Sequence, residues 1–281
     1  MHGRILQQIV AAALDEDIGP GDVTTEACVD PGLTMRAQIR ANAGGVVAGL
    51  APAREAFGQL CPDVRFTAHV SDGDRVNAGD IIAEVSGQAQ GLLTAERTAL
   101  NFLQHLSGIA TLTSRFVAAV EGTQAAIVDT RKTTPGLRLL EKAAVRAGGG
   151  RNHRMALFDG VLIKDNHIRA AGGITAAVEA ARRNTPHLLA VEVEVSTLEQ
   201  LDEALTAGAD VVMLDNMDLP TLREAVQRVA GRAVVEASGG VTLDTVKQIA
   251  AAGVDLISVG ALTHSAPALD ISMEAVSAET T

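Results

Sequence analysis

LLAVEVEVSTLEQLDEALTAGADVVMLDNMDLPTLREAVQRVAGRAVVEASGG, residues 188–240, alternates three short β-branched runs with two amphipathic helical patterns. The runs LLAVEVEV (188–195), DVVML (210–214) and AVVEA (233–237) are short, apolar and bounded by polar or glycine punctuation, as buried strands are. Between them, TLEQLDEALTAG and LPTLREAVQRVAG carry helix-spaced apolar residues and end at Gly208 and Gly231, glycine being the residue that closes a helix in the left-handed conformation. Strand–helix–strand at this spacing means right-handed βαβ units and a parallel sheet.

The rhythm extends both ways. AAIVD (125–129) and GVLI (160–163) precede the stretch, the helical pattern TAAVEAARR lies before it, and TLDTVKQIAAAG (ending at Gly253) and DLISV (255–259) follow. Six such strands with no GxGxxG turn favour a (β/α) barrel over a doubly wound sheet. The strand ends support this. They deliver Arg131-Lys132, Lys164, Glu194, Asp215, Ser238-Gly239-Gly240 and Gly260, with His264 just beyond. Barrel active sites lie at that rim.

Residues 127–169 hold nine Lys/Arg against four Asp/Glu, a local +5, inside a chain of 281 residues with net charge −11. Positive charge concentrated in one glycine-rich stretch of an acidic protein suits an anion pocket. Arg131 and Lys132 stand among Thr130, Thr133, Thr134 and the Pro135-Gly136 turn, and hydroxyls with a tight turn suit phosphate or carboxylate better than a solvated surface pair does. Gly148-Gly149-Gly150 runs into His153-Arg154, and Lys164 follows; the glycines read either as an exposed loop or as close backbone approach to an anion. Alternation puts Glu192 and Glu194 on one side of their strand. Glu194 and Asp215, on successive strand ends, suit Mg²⁺ shared with substrate phosphates, the plain alternative being a salt bridge to Lys164. Ser238-Gly239-Gly240, Gly260 and His264 suit phosphate.

The first ~90 residues read as a small α+β domain with an antiparallel sheet, from the glycine-punctuated segments 35–50 and 64–87. SDGDRVNAGDIIAEV (71–85) has the look of a biotinyl-carrier hairpin, but no lysine lies between Arg65 and Lys132 to carry a cofactor. Residues 92–121 read as one or two helices with a break at Ser107-Gly108; Arg97, Asn101 and Gln104 share its polar face. With no Trp, no Tyr and five Phe, the core must be aliphatic, and aromatic platforms for nucleic acid are lacking. Cys28 and Cys61 form no metal or disulfide pattern, IVAAAL stops at Asp15, too short for a signal peptide, and no run is long enough to span a membrane. A cytoplasmic protein without nucleic-acid or membrane partners is the expectation.

The motifs EDIGPGDVTT, ERTALNFLQHLSGIATLT, DTRKTTPGLR, KAAVRAGGGRNHR, DGVLIKDNHI, VEVEV, MLDNM, EASGGV and SVGALTH together closely resemble the quinolinate phosphoribosyltransferase family over nearly the whole chain. The resemblance implies an incomplete (β/α) barrel of the phosphoribosyltransferase type at 108–266. It also implies an N-terminal α+β open sandwich domain at 1–107, with the tail 267–281 packed on it, and a homodimer or higher homo-oligomer. The implied reaction joins quinolinate to phosphoribosyl pyrophosphate, giving nicotinate mononucleotide, pyrophosphate and CO₂ for NAD biosynthesis, with Mg²⁺ required. Carried onto this chain, Arg131, His153, Arg154 and Arg97 of the neighbouring subunit would grip the two carboxylates. Lys132 and Lys164 would face pyrophosphate and substrate anions. Glu194 and Asp215 would hold Mg²⁺ or ribose hydroxyls, and Ser238, Gly239, Gly240, Gly260 and His264 would line the phosphate region. Two alternatives share the scaffold: a paralogue associated with molybdenum transport, acting on another substrate, and a non-catalytic phosphate-ligand sensor. The basic set favours a dicarboxylate, and the Glu194/Asp215 pair favours catalysis.

Overall fold

The computed structural model describes residues 3–280; residues 1, 2 and 281, at the outer ends of the expected N-terminal domain and C-terminal tail, lie outside the described residues. In chain order the elements are α1 (Gly3–Ile18), α2 (Val23–Cys28), β1 (Leu33–Ala41), β2 (Gly45–Val46), α3 (Leu50–Leu60), β3 (Arg65–Ala68), β4 (Arg75–Val76), β5 (Ile81–Gln88) and α4 (Ala89–Ala119). There follow β6 (Ala126–Val128), α5 (Arg138–Ala147), β7 (Val161–Ile163), α6 (Asp165–Ala171), α7 (Ile174–Asn184), β8 (Val191–Val195), α8 (Leu198–Thr206) and β9 (Val211–Asp215). The chain ends with α9 (Leu219–Val229), β10 (Val234–Ser238), α10 (Val246–Ala250), β11 (Leu256–Ser258), α11 (Ala261–His264) and β12 (Ile271–Thr280). No helix of the described residues is long and apolar enough to cross a membrane.

These elements form two compact units. The first comprises residues through Ser114, the segment Thr133–Gly149 and the chain from Thr263 on. Its main sheet is antiparallel in the order β12-β1-β5-β3, and β2 pairs with β4. β12, from the C-terminal tail, pairs along β1 from Ala41↔Ile271 to Leu33↔Thr280. The expected break at Ser107-Gly108 is absent: α4 is one helix of 31 residues. Ser107 is buried and bonds both the N–H and the carbonyl of Ala48, so its hydroxyl is satisfied within an unbroken helix. A Cβ at Gly108 would lie 2.1 Å from the Pro267 carbonyl, so the glycine admits close packing of a neighbouring segment. Gly148 has the same explanation: its Cβ would lie 2.4 Å from the Ala110 carbonyl, which accounts for it without any anion.

The second unit comprises Arg115–Lys132 and Gly150–Leu262. Its six strands are all parallel, in the order β6-β11-β10-β9-β8-β7. Every strand neighbours its successor except β6 and β7, and the first strand pairs with the last. A doubly wound sheet would reverse direction midway; this order is a ring with one open seam, an incomplete (β/α) barrel. Arg151 forms a single bridge to Val128 at the β6 side of that seam. The valines that alternate with Glu192 and Glu194 (Val191, Val193 and Val195) are buried on the helix-facing side, each worth about 1.5–3 kcal/mol of burial. The helix ends follow the glycine signals with one difference: Ala230 itself turns left-handed (φ 47°) before Gly231 (φ 75°).

Candidate active site

Six successive strands of the second unit send their C-terminal ends to one rim, around a cavity of about 550 Å³. It is lined by Thr130, Arg131 and Lys132 after β6, Lys164 after β7, Glu194 from β8, Asp215 and Asn216 at β9, and Ser238, Gly239 and Gly240 at β10; His153 and Arg154 join them. A cavity of about 660 Å³ in the first unit has Glu16, Asp17 and His105 as its titratable lining, the wrong sign for an anion.

The basic loop is anchored by Asp129, a fully buried carboxylate that ends the first barrel strand. Its oxygens accept from the Asn152 Nδ2 (2.5 Å) and the His153 backbone N–H (2.9 Å). This fixes where Arg154 leaves the loop, and the Arg154 Nη1 donates to the Gly160 carbonyl at 3.0 Å. Burial, and then the positive charge of neighbouring Arg131, hold the Arg154 guanidinium below its ordinary pKa. Two like charges forced together in a half-buried recess are costly until an anion lies between them.

Across the rim, the Lys164 Nζ donates to the Glu194 Oε2, the salt bridge foreseen as the plain alternative. His167 supports this lysine from behind, accepting the Lys164 backbone N–H at its Nδ1 (3.0 Å). Asp215 accepts from the Asn216 Nδ2 at 2.9 Å. Asn216 is left-handed (φ 53°), and the glycine at 239 (φ 95°) leaves room for its side chain: a Cβ there would sit 2.1 Å from the Asn216 Oδ1. Glu194 and Asp215 thus offer carboxylate oxygens from adjacent strands into one pocket, a hard donor set that fits Mg²⁺.

Beneath the rim lies a buried cluster of His153, Glu192 and Glu236. The Arg154 backbone N–H donates to the His153 Nδ1 (2.8 Å), so the imidazole hydrogen sits on Nε2 and is donated to the Glu192 Oε2 (3.0 Å). Both ring nitrogens thus have partners within the protein. His153, expected to grip a carboxylate, lines the cavity and also supports the loop carrying Arg154. Glu236 is 0 % exposed, and neither of its oxygens has a hydrogen-bond partner. The His153 Nε2 is 3.7 Å away, and the nearby Ser258 hydroxyl is oriented to the Ala237 carbonyl (3.4 Å). Burial first, and then the Glu192 charge, push the Glu236 carboxyl up to about 7.

Arg97, Gly260 and His264 are not among the residues lining the cavity. Arg97 is exposed on α4 in the first unit, beside Asp17, Asp22 and Thr94. Gly260 follows β11, and His264 ends α11, exposed, with its Nδ1 2.6 Å from the Ser265 hydroxyl. Asp129, Asn216 and Glu236 were not foreseen. A carboxylate inside or ending an apolar strand, as in AAIVD and AVVEA, is the signal that would have found two of them.

An open-seamed parallel barrel that gathers cations and two carboxylates at its strand ends defines an enzyme for a polyanionic substrate. The chain belongs to the quinolinate phosphoribosyl transferase family: the family's N-terminal domain matches residues 22–107 and its C-terminal domain residues 109–274. It is 48% identical over 259 residues to a probable nicotinate-nucleotide pyrophosphorylase (carboxylating) of Bacillus subtilis, covering 92% of this chain and 89% of that one. It is 44% identical over 288 residues to a mitochondrial quinolinate phosphoribosyltransferase (decarboxylating) of Nicotiana glauca, covering 96% and 82%. The solved nicotinate-nucleotide pyrophosphorylase of Francisella tularensis superposes with a TM-score of 0.94 at 41% identity, covering 98% of this chain and 97% of that one.

Proposed function

We propose that this chain is a decarboxylating quinolinate phosphoribosyltransferase, converting quinolinate and phosphoribosyl pyrophosphate into nicotinate mononucleotide, pyrophosphate and CO₂ in NAD biosynthesis. The carrying observation is the juxtaposition of Arg131 and Arg154 in a pocket that also holds Lys132 and Lys164. A dicarboxylate satisfies the two guanidiniums bidentately, as a neutral or monoanionic ring would not.

Arg131 and Arg154 hold the quinolinate ring, with His153 keeping the Arg154 backbone in place. As the pyrophosphate bond breaks, positive charge grows at the ribose C1, and carboxylates at the rim stabilise it. Lys132 and Lys164 face the leaving anion. Substrate phosphates can draw Lys164 from its pairing with Glu194, freeing that carboxylate for the ribose or for Mg²⁺. Glu194 and Asp215 would hold Mg²⁺, which when bound neutralises the pyrophosphate. Ser238, Gly239 and Gly240 receive the 5′-phosphate through loop amides. Arg97, exposed on its helix, completes the pocket of a neighbouring copy in a homodimer or larger homo-oligomer. A cytoplasmic location suits these soluble substrates, and the acidic overall charge and lack of aromatic platforms argue against nucleic acid.

Pyrophosphate release tests the reading. With Mg²⁺ and phosphoribosyl pyrophosphate, quinolinate should support release, nicotinate should not, and Arg131→Ala should abolish it. Equal release with both pyridines, or none with quinolinate, would move the chain to another substrate or to a sensor role.

A further inference from the structure

Loss of CO₂ from the pyridine ring leaves an electron pair on the ring carbon, and completing the reaction requires one proton at that carbon. The basic residues at the rim are cations or hydrogen-bond donors placed for anions, and His153 has both ring nitrogens engaged, one by the Arg154 N–H and the other by Glu192. One acid lines the cavity without any such commitment. Glu236 reaches the pocket wall from β10, on the same strand face as Ser238, and is fully buried with both oxygens unpartnered. The titratable groups facing it are Glu192 from β8, His153 from the basic loop and Lys164 after β7; Ser258 of β11 adds a hydroxyl. The nearest, His153, is 3.7 Å away, and Glu192 is a like charge. Burial and the Glu192 charge outweigh the favourable influence of His153, Ser258 and Lys164, so the carboxyl holds its proton up to about pH 7.

Resting on the activity proposed above, we propose that Glu236 is the acid that protonates the ring carbon vacated by CO₂, with Glu192 and His153, whose polar atoms cluster with its carboxyl, as the positioning residues. The bond between the ring and the departing carboxylate breaks and leaves its electron pair on the ring carbon. CO₂ departs, the Glu236 O–H gives its proton to that carbon, and the resulting carboxylate takes a proton from water after product release. No oxidant, reductant or further reactant is needed. The adjacent ring nitrogen, cationic once it carries the ribose, stabilises the carbanion in the interval.

The test separates the two chemical steps. Single-turnover reactions of the whole enzyme with quinolinate, phosphoribosyl pyrophosphate and Mg²⁺ are quenched and assayed for pyrophosphate and CO₂ independently. For Glu236→Gln, a neutral isostere without a transferable proton, pyrophosphate release should stay within several-fold of wild type. CO₂-coupled formation of nicotinate mononucleotide should fall about 100-fold or more, with quinolinate mononucleotide accumulating. Unchanged CO₂ release, or equal losses in both steps, overturns the assignment. Wild-type enzyme supplies a second reading that needs no variant: decarboxylation of added quinolinate mononucleotide should fall about tenfold per pH unit above pH ~7. A rate level to pH ~9 overturns the assignment. Wild-type protein that releases neither product from quinolinate overturns the activity itself, an outcome distinct from a failure of Glu236 alone.

Discussion

Replacing Gly239 by Ala should destabilise the protein by about 2–5 kcal/mol and disable the rim, and Asn216→Gly should relieve the steric part of the stability loss but not the loss of activity. Gly239 has φ 95°, a region that costs a residue with a Cβ about 1–2 kcal/mol. The added methyl would stand 2.1 Å from the Asn216 Oδ1 and 2.6 Å from its Cγ, overpacking worth about 1–3 kcal/mol more. Asn216 can relieve the clash only by rotating, which breaks its 2.9 Å bond to Asp215 and loosens the carboxylate facing the ribose. A displacement of that kind should lower kcat/KM roughly 10–100-fold. Urea unfolding and pyrophosphate release on both single variants and the double variant measure the coupling. In the Asn216→Gly background only the backbone strain should remain. A Gly239→Ala penalty below about 0.5 kcal/mol, or one equally large without the Asn216 side chain, would refute the account of this turn.

Glu236 makes stability pH-dependent in a definite direction. Below about pH 4.5 the carboxyl is protonated folded or unfolded, and between there and about 7 only the folded chain keeps the proton. Stability should therefore decline as pH rises through that window, by on the order of 3 kcal/mol, and level off above it. Glu236→Gln should flatten the decline in urea unfolding at pH 5 to 8; an unchanged slope would contradict the assignment. Asp129→Ala removes a buried acceptor from Asn152 and His153 and should cost about 3–5 kcal/mol together with quinolinate binding, by unfolding and calorimetry. Lys164→Met should cost at most about 1 kcal/mol of stability, because the lysine is 44% exposed, while lowering turnover about 100-fold or more. Gly148→Ala should destabilise by about 1–3 kcal/mol and leave KM for quinolinate unchanged in steady-state assays, since its methyl meets α4 and not the pocket.

The barrel was legible because its strands are apolar runs of buried type: the observed β8 falls inside the run read at 188–195, and β9 and β10 each extend one residue past the runs read at 210–214 and 233–237. Local patterns carry that information. The seam between β6 and β7 is carried by no local pattern, since it depends on which edges meet after the chain has closed. The helix break expected at Ser107-Gly108 shows the same limit: residues that commonly interrupt a helix in isolation are retained when the backbone of Ala48 and the segment at Pro267 pack against them. At the rim, charge density and strand-end position pointed to Arg131, Lys132, His153, Arg154, Lys164, Glu194, Asp215 and Ser238–Gly240, all of which line one cavity. The hidden groups were harder to read. Glu192 and Glu236 sit mid-strand, where a one-letter pattern cannot tell an interior acid from an outward one until the pleat is placed.

The most direct measurement is diffraction from crystals soaked with quinolinate. The ligand is expected at the strand-end cavity, with one carboxylate on Arg131 and the other within reach of Arg154, and His153 still hydrogen-bonded to Glu192. Quinolinate bound elsewhere, or held at that rim without either guanidinium, would contradict the account.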